Sequence, residues 1–184
     1  MRLILLLFPL TFVFFPPESP LSRAQIIPYF EKKAKKIIKK EWKGQTIRKE
    51  EQMTKDTTPL FPDRHLFKLY NKEEQFIAYF IISKSYGCRI GGCNGGDLHP
   101  ANGPYEAFYY SAIFNPDLTI RRVDILDYPS EYGYEIGAKN WLRQFKGQKP
   151  CGGLKGIDII SGATVSCNSL SADLVDVCWL LNGE

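Results

Sequence analysis

Histidine is scarce in this sequence: there are two in 184 residues, His65 and His99, and neither sits in a recognisable constellation. A hydrolytic triad therefore finds no support. The chain also lacks Gly-x-Gly-x-x-Gly, a Walker A pattern and His-Glu-x-x-His. The stretch GGLKG (152–156) has neither the spacing nor the final hydroxyl of a phosphate loop. There is no internal repeat. The five cysteines offer no second pair at zinc or iron–sulfur spacing. No nucleic-acid recognition motif is present, so nucleic acid is not an expected partner. The longest N-terminal apolar run, Leu3–Phe15, has 13 residues. That is short of the roughly 20 that a membrane-spanning helix requires.

What is present begins with an export pattern. Arg2 precedes the apolar run, a proline-rich stretch follows, and Ser22-Arg23-Ala24 places small residues where a signal peptidase reads. The expectation is a signal peptide over 1–24, with an uncleaved membrane anchor as the alternative. The remainder then lies in the periplasm or cell envelope. Residues 25–59 read as an N-terminal helix and lead-in, and 60–184 as the main domain. With 44% hydrophobic residues the chain can bury a core.

Over 26–42 the apolar residues Ile26, Phe30, Ala34, Ile37, Ile38 and Trp42 recur at helical spacing. Lys32, Lys33, Lys35, Lys36, Lys39, Lys40 and Lys43 fall on the opposite side. This predicts a helix packing one face on the core. The lysine face either meets solvent or rests on anionic lipid. Pro28 is read as lying in the first turn, where proline is tolerated. Strands are expected at 65–70, 75–83, 105–114 and 118–126, with a more exposed one at 46–54. NKEE (71–74) and NPD (115–117) read as hairpin connections. YEIGAKNWLRQFKG (134–147) reads as a short helix closed by Gly147. The last helix is expected from about Thr164 to Leu181. Helix, antiparallel strands, then helices is an α+β pattern.

The stretch IDIISGATVSCNSLSADL (157–174) carries the chemistry. A strand end running into a helix start leaves unpaired backbone N–H groups, and the helix dipole adds positive charge there. A phosphate suits that position. Gly162 and Ala163 allow close approach, and Ser161, Thr164 and Ser166 offer hydroxyls. Asp158 would repel a free phosphate. The simpler reading makes Ser161 or Thr164 an N-cap and Gly-Ala a tight turn.

Residues 158–164, Asp-Ile-Ile-Ser-Gly-Ala-Thr, resemble the flavinylation motif Asp-x-x-Ser-Gly-Ala-Thr. That motif belongs to the FMN-binding domains of peripheral subunits of Rnf and sodium-pumping NADH:quinone reductase complexes. NWLRQFKG (140–147) is similar to the helix that precedes the motif in such domains. GCRIGGC (87–93) is similar to a loop of secreted FMN-binding domain proteins of Bacteroides-like bacteria. The resemblance spans about residues 60–181. It implies that a flavin transferase takes FAD and places FMN on Thr164 as a phosphoester. Asp158, Ser161, Gly162, Ala163, Val165 and Ser166 would surround the attachment, with Asp158 serving the transferase step through its metal. Where related domains carry Glu-Thr-Pro-Gly-Leu-Gly beside the flavin ring, this chain has SEYGYEIG (130–137). Tyr132, Gly133 and Tyr134 are therefore the candidates for ring contact. No long extra segments of the respiratory subunits are present, which implies a smaller, free or loosely attached relative.

The function implied is an exported electron carrier with covalent FMN, partnered by the transferase and by redox proteins or a quinone-linked membrane complex. An exported flavin-dependent reductase and a non-catalytic surface module are the alternatives. Cys88 and Cys93, with four residues between them in a glycine-rich loop, are expected to form a disulfide. A dithiol exchanging electrons with the flavin is the other reading. Cys167 and Cys178 read as buried small apolar residues on one helix, and the state of Cys151 is left open.

Overall fold

A computed structural model describes residues 23–52, 64–88 and 105–183. Helix α1 (Arg23–Glu41) leads into strands β1 (Arg48–Gln52), β2 (His65–Tyr70), β3 (Phe76–Cys88), β4 (Tyr105–Phe114) and β5 (Ile120–Asp127). They form one antiparallel sheet in the order β1-β2-β3-β4-β5. A short α2 (Lys139–Leu142) and a long α3 (Thr164–Asn182) complete the α+β fold.

The sheet is covered on both sides, and its side-chain alternation shows how. Phe67, Phe80, Ile82, Ile113 and Leu126 face α1, meeting Ile26, Phe30, Ala34 and Ile38. Leu66, Ile81, Tyr110, Ala112 and Phe114 face α3, meeting Leu170, Leu174, Val177 and Leu181. Each of those α3 side chains contributes roughly 2 kcal/mol by leaving water. Strand β4 is buried on both faces from Phe108 to Phe114. Its near-continuous apolar run therefore carries little alternation. The hairpins close as their turn residues dictate. Asn71 Oδ1 accepts the amides of Glu73 and Gln75, and Asp117 Oδ1 accepts that of Thr119.

A polar seam fixes α3 along β3. Alternate β3 residues Ser83, Ser85 and Gly87 meet α3 one turn apart. Ser83 Oγ donates to Asp173 Oδ2 at 2.7 Å. Ser85 and Ser169 share a hydroxyl contact at 2.6 Å. At Gly87 an added Cβ would lie 2.5 Å from Tyr128 Oη and 2.9 Å from Ser166 Oγ, so the strand gives up its side chain there to the Tyr128–Ser166 contact. At the Asp173 end, Arg64 binds Oδ1 through Nε and Nη2, and Tyr110 Oη donates to Oδ2 at 2.6 Å. Arg64 and Asp173 are both fully enclosed. Burial pushes the Asp173 carboxyl up, and the Arg64 guanidinium opposes that shift.

Several expectations change. Strand β3 runs on to Cys88 rather than ending at 83, because its polar, small-residue end pairs with Tyr105–Tyr109 of β4. The segment 134–147 is not one helix. A 3-10 turn (Tyr134–Gly137), α2 and a second 3-10 turn (Arg143–Phe145) follow one another, and extended Ala138 breaks the first from the second. Gly147 closes the set with φ 83°. Its amide and the Ile120 carbonyl bond at 2.7 Å, which hangs the segment on β5. Pro28 lies inside α1, since the helix starts at Arg23, and offers no N–H to the residue four before it. Residues 157–160 pair with no strand. Cys178 is not a lone apolar residue. It forms a disulfide with Cys151, Cα atoms 5.2 Å apart, fastening the loop before residue 164 to the far half of α3. Cys167 is the free, buried thiol among the described residues. The expected Cys88–Cys93 pair lies outside the described residues. No helix among the described residues is long and apolar enough to cross a membrane.

Candidate functional site

The loop before α3 is held from below. Trp141 Nε1–H donates to the Asp158 carbonyl at 2.7 Å, and the Asp158 amide donates to Gln144 Oε1 at 2.9 Å. Gln148 adds a second clamp: its Nε2 donates to the carbonyls of Gln144 and Lys155, and its Oε1 accepts the Lys155 amide at 2.8 Å. Trp141 and Phe145 are buried and stack edge-to-face at 5.0 Å, so the clamp stands on the core. The segments 140–147 and 158–164, separate in sequence, are thus one unit. Leu154, Ile157 and Ile160 press the intervening loop onto the same core.

Beyond Asp158 the chain turns outward. Ser161 and Gly162 are exposed, and Gly162 takes φ 84° with nothing within 4 Å of the place a Cβ would occupy. An oxygen can approach this backbone unobstructed. Ala163 is the N-cap and has no side chain capable of capping. The first bond of α3 runs from Cys167 N–H to Ala163 C=O at 2.9 Å, so the amides of Thr164, Val165 and Ser166 have no partner within the helix. Neither Ser161 nor Thr164 supplies a capping hydroxyl. Thr164 is exposed at the first helical position, and its side chain makes no hydrogen bond among the described residues. Val165 is half-buried beside it.

Ser166 has a different place. It is fully buried, and its Oγ lies 2.8 Å from Tyr128 Oη. Tyr128 Oη donates to the Tyr132 carbonyl at 2.7 Å, so Ser166 is the donor to Tyr128. This bridge brings the loop after β5 against the start of α3. Gly133 fits there with φ 82°. An added Cβ would sit 2.7 Å from Tyr128 Oη, 3.0 Å from Ser166 Oγ and 3.5 Å from Ala163 Cα. Tyr132 and Tyr134, on either side of Gly133, are 46% and 62% exposed and make no ring contact among the described residues. Two largely exposed aromatic residues therefore stand on the loop that touches the turn carrying Thr164. Burial pushes the Tyr128 phenol up, and its bond to Ser166 works against that. Burial also pushes the Cys167 thiol up, one turn below the exposed hydroxyl.

Thus Ser161, Gly162 and Thr164 form one exposed corner over buried Ala163 and half-buried Val165, Gly133 abuts it, and Tyr132 and Tyr134 flank it. The Asp158 side chain is exposed while its backbone is clamped. Tyr128, Trp141, Gln144 and Gln148 were not picked out from sequence. A buried tryptophan and two glutamines next to a turn carry no spacing signal, because their partners lie 14 to 17 residues away for Asp158 and 7 for Lys155.

No protein-family model matches the chain, and no curated protein matches it significantly.

Proposed function

We propose that this chain is an exported flavoprotein electron carrier that holds FMN as a phosphoester on Thr164. The observation that carries the reading is the exposed, uncommitted Thr164 hydroxyl at the head of a 19-residue helix, within Asp-Ile-Ile-Ser-Gly-Ala-Thr. The donor set suits the group. Three helix amides without intrahelical partners face a phosphodiester, which keeps one negative charge that the helix dipole favours. Open space over Gly162 leaves room for its oxygens. Attachment would form the Thr164 Oγ–P bond, break the pyrophosphate P–O bond of FAD and release AMP, the hydroxyl proton leaving with it. A flavin transferase would supply the catalysis for that exchange, so the corner needs exposure rather than a base of its own.

When bound, FMN supplies the redox chemistry, and this chain positions it. Trp141, Gln144 and Gln148 hold the attachment loop rigid. Tyr132 and Tyr134, beside the Gly133 that abuts Ala163, would offer aromatic faces to the ring. The Cys151–Cys178 bond supports an oxidising compartment, in keeping with the signal-like N-terminus. Co-expression with a flavin transferase should give a Thr164 peptide heavier by one FMN moiety, with colour that survives denaturation. Thr164→Ala should abolish both. A coloured, denaturation-resistant Thr164→Ala product would overturn the assignment.

A further inference from the structure

A cleft of ≈ 280 Å³ opens between the end of α1, β5 and the α2 segment, on the side of α2 away from the Asp158 clamp. Six cations line it: Lys40, Arg121, Arg122, Lys139, Arg143 and Lys146. The carboxylates in its wall are Glu41 and Asp124, and both are committed. Glu41 binds Arg121 at 2.7 Å and Arg122 at 3.5 Å, and Asp124 binds Arg122. That bond to Asp124 pushes the Arg122 guanidinium further up against its burial. Lys40, Lys139, Arg143 and Lys146 make no ion pair among the described residues. The wall therefore has two layers. Two arginines at the base are fixed by carboxylates, and four cations at the rim are uncompensated. Val123 and Leu142 add an apolar floor.

We infer that this cleft docks a carboxylate-rich surface of a protein partner. A free phosphate would be gripped by convergent, enclosed donors in bidentate geometry. Here the uncompensated charges are spread round an open rim, and three of the four are lysines, which act as hydrated point charges. Such a pattern matches several separated carboxylates. It favours fast, salt-sensitive encounter over tight capture, as in weak electron-transfer complexes. The position matters as well. Lys139, Arg143 and Lys146 lie on the same short segment whose Trp141 and Gln144 hold the loop before Thr164. A partner seated in the cleft thus rests one element away from the attachment corner. That the partner is a redox protein rests on the electron-carrier reading; the docking itself does not.

The test uses the full chain and fluorescein-labelled oligoglutamate, read by anisotropy at low and high salt. Arg143→Glu with Lys146→Glu should weaken binding by about tenfold, and the neutral pair Arg143→Gln with Lys146→Gln by less, in the same direction. Lys32→Glu with Lys72→Glu makes the same charge change at exposed positions outside the cleft and should alter it by less than about twofold. Equal losses in the two reversal variants would overturn the site. Binding to phosphatidylglycerol vesicles without oligoglutamate binding would reassign the charge to lipid, and saturable displacement by pyrophosphate would reassign it to a small phosphate ligand. Flavin on the Thr164 peptide is read from the same preparations. Its absence would count against the electron-carrier reading and leave the docking result standing.

Discussion

The Trp141 indole N–H and the Asp158 carbonyl lie 2.7 Å apart, joining the segments 140–147 and 158–164. That bond, with the Gln144–Asp158 contact, decides where the loop leaves the core and hence where Thr164 stands. Trp141→Phe removes the donor and one ring of the buried indole, leaving the Asp158 carbonyl to water and a small cavity beside Phe145. The lost bond costs about 1 kcal/mol, and the cavity adds to it. If the clamp positions the loop for the transferase, Gln144→Ala combined with Trp141→Phe should lower flavin loading at Thr164 by more than the stability loss explains. Mass spectrometry of loading against denaturant midpoints separates the two. Full loading in the double variant would show that the loop needs no clamp.

Gly133 is where the β5 loop touches α3, and its geometry forbids a side chain twice. Its φ is 82°, and a Cβ would approach Tyr128 Oη to 2.7 Å. Gly133→Ala should cost about 1–3 kcal/mol from backbone strain and displaced contacts. The Tyr128–Ser166 bond should loosen with it. A thermal midpoint within error of the parent would mean that the loop relaxes without consequence.

The Cys151–Cys178 bridge closes a loop of 27 residues that contains the whole attachment corner. In the chain-entropy account such a loop contributes about 3–4 kcal/mol. Cys151→Ser and Cys178→Ser should each lower stability by that order, and reductant should lower the parent's midpoint by more than the variants'. Identical midpoints with and without reductant would argue against the bridge.

Much of this framework is legible in the sequence, because the local signals agree with the tertiary ones. β2 and β4 carry aromatic and aliphatic residues between turn signals, and their bounds are as expected. α3 starts at Thr164, where Ser-Gly-Ala-Thr places small residues before an apolar period. What stays hidden is pairing at distance. Five cysteines permit many pairings, and nothing local joins Cys151 to Cys178 across 27 residues. The extension of β3 through Lys84-Ser85-Tyr86-Gly87 looks polar because its α3-side residues meet Ser169 and Ser166 rather than apolar groups. The helix at 134–147 is misread because Trp141 and Phe145 keep a helical period while the backbone between Gly137 and Lys139 is extended.

Arg64 and Asp173 form the deepest charge pair among the described residues, 2% and 0% exposed. Removing Arg64 leaves the buried Asp173 carboxylate with only neutral hydroxyl donors, and removing Asp173 leaves Arg64 with the more distant Asp176 at 3.6 Å. Arg64→Met and Asp173→Leu should each cost about 3–5 kcal/mol. Arg64→Met with Asp173→Leu removes both charges and fills the space, so it should cost less than the sum of the singles. Denaturant unfolding of the four proteins gives the coupling directly. Additive losses would mean that the two charges act independently.

Tyr110 reports on the same cluster through pH. Its phenol is fully buried against Asp173, and burial first, then the neighbouring carboxylate, pushes it well above the ordinary tyrosine range. The folded protein therefore keeps the proton that the unfolded chain releases near pH 10. Stability from this group is complete below that pH and falls as pH rises toward the folded value, by at most about 1.4 kcal/mol per pH unit. Other ionisable groups of the chain contribute to the same decline, so the measurement is a difference. Tyr110→Phe lowers stability at pH 8, because Asp173 loses a donor, but should flatten the decline between pH 9 and 11 by about one proton's slope. In the parent, absorbance at 295 nm should show one tyrosine that ionises only with unfolding. Parallel pH profiles for parent and variant would place the Tyr110 phenol in contact with water and break the polar seam that holds α3 on the sheet.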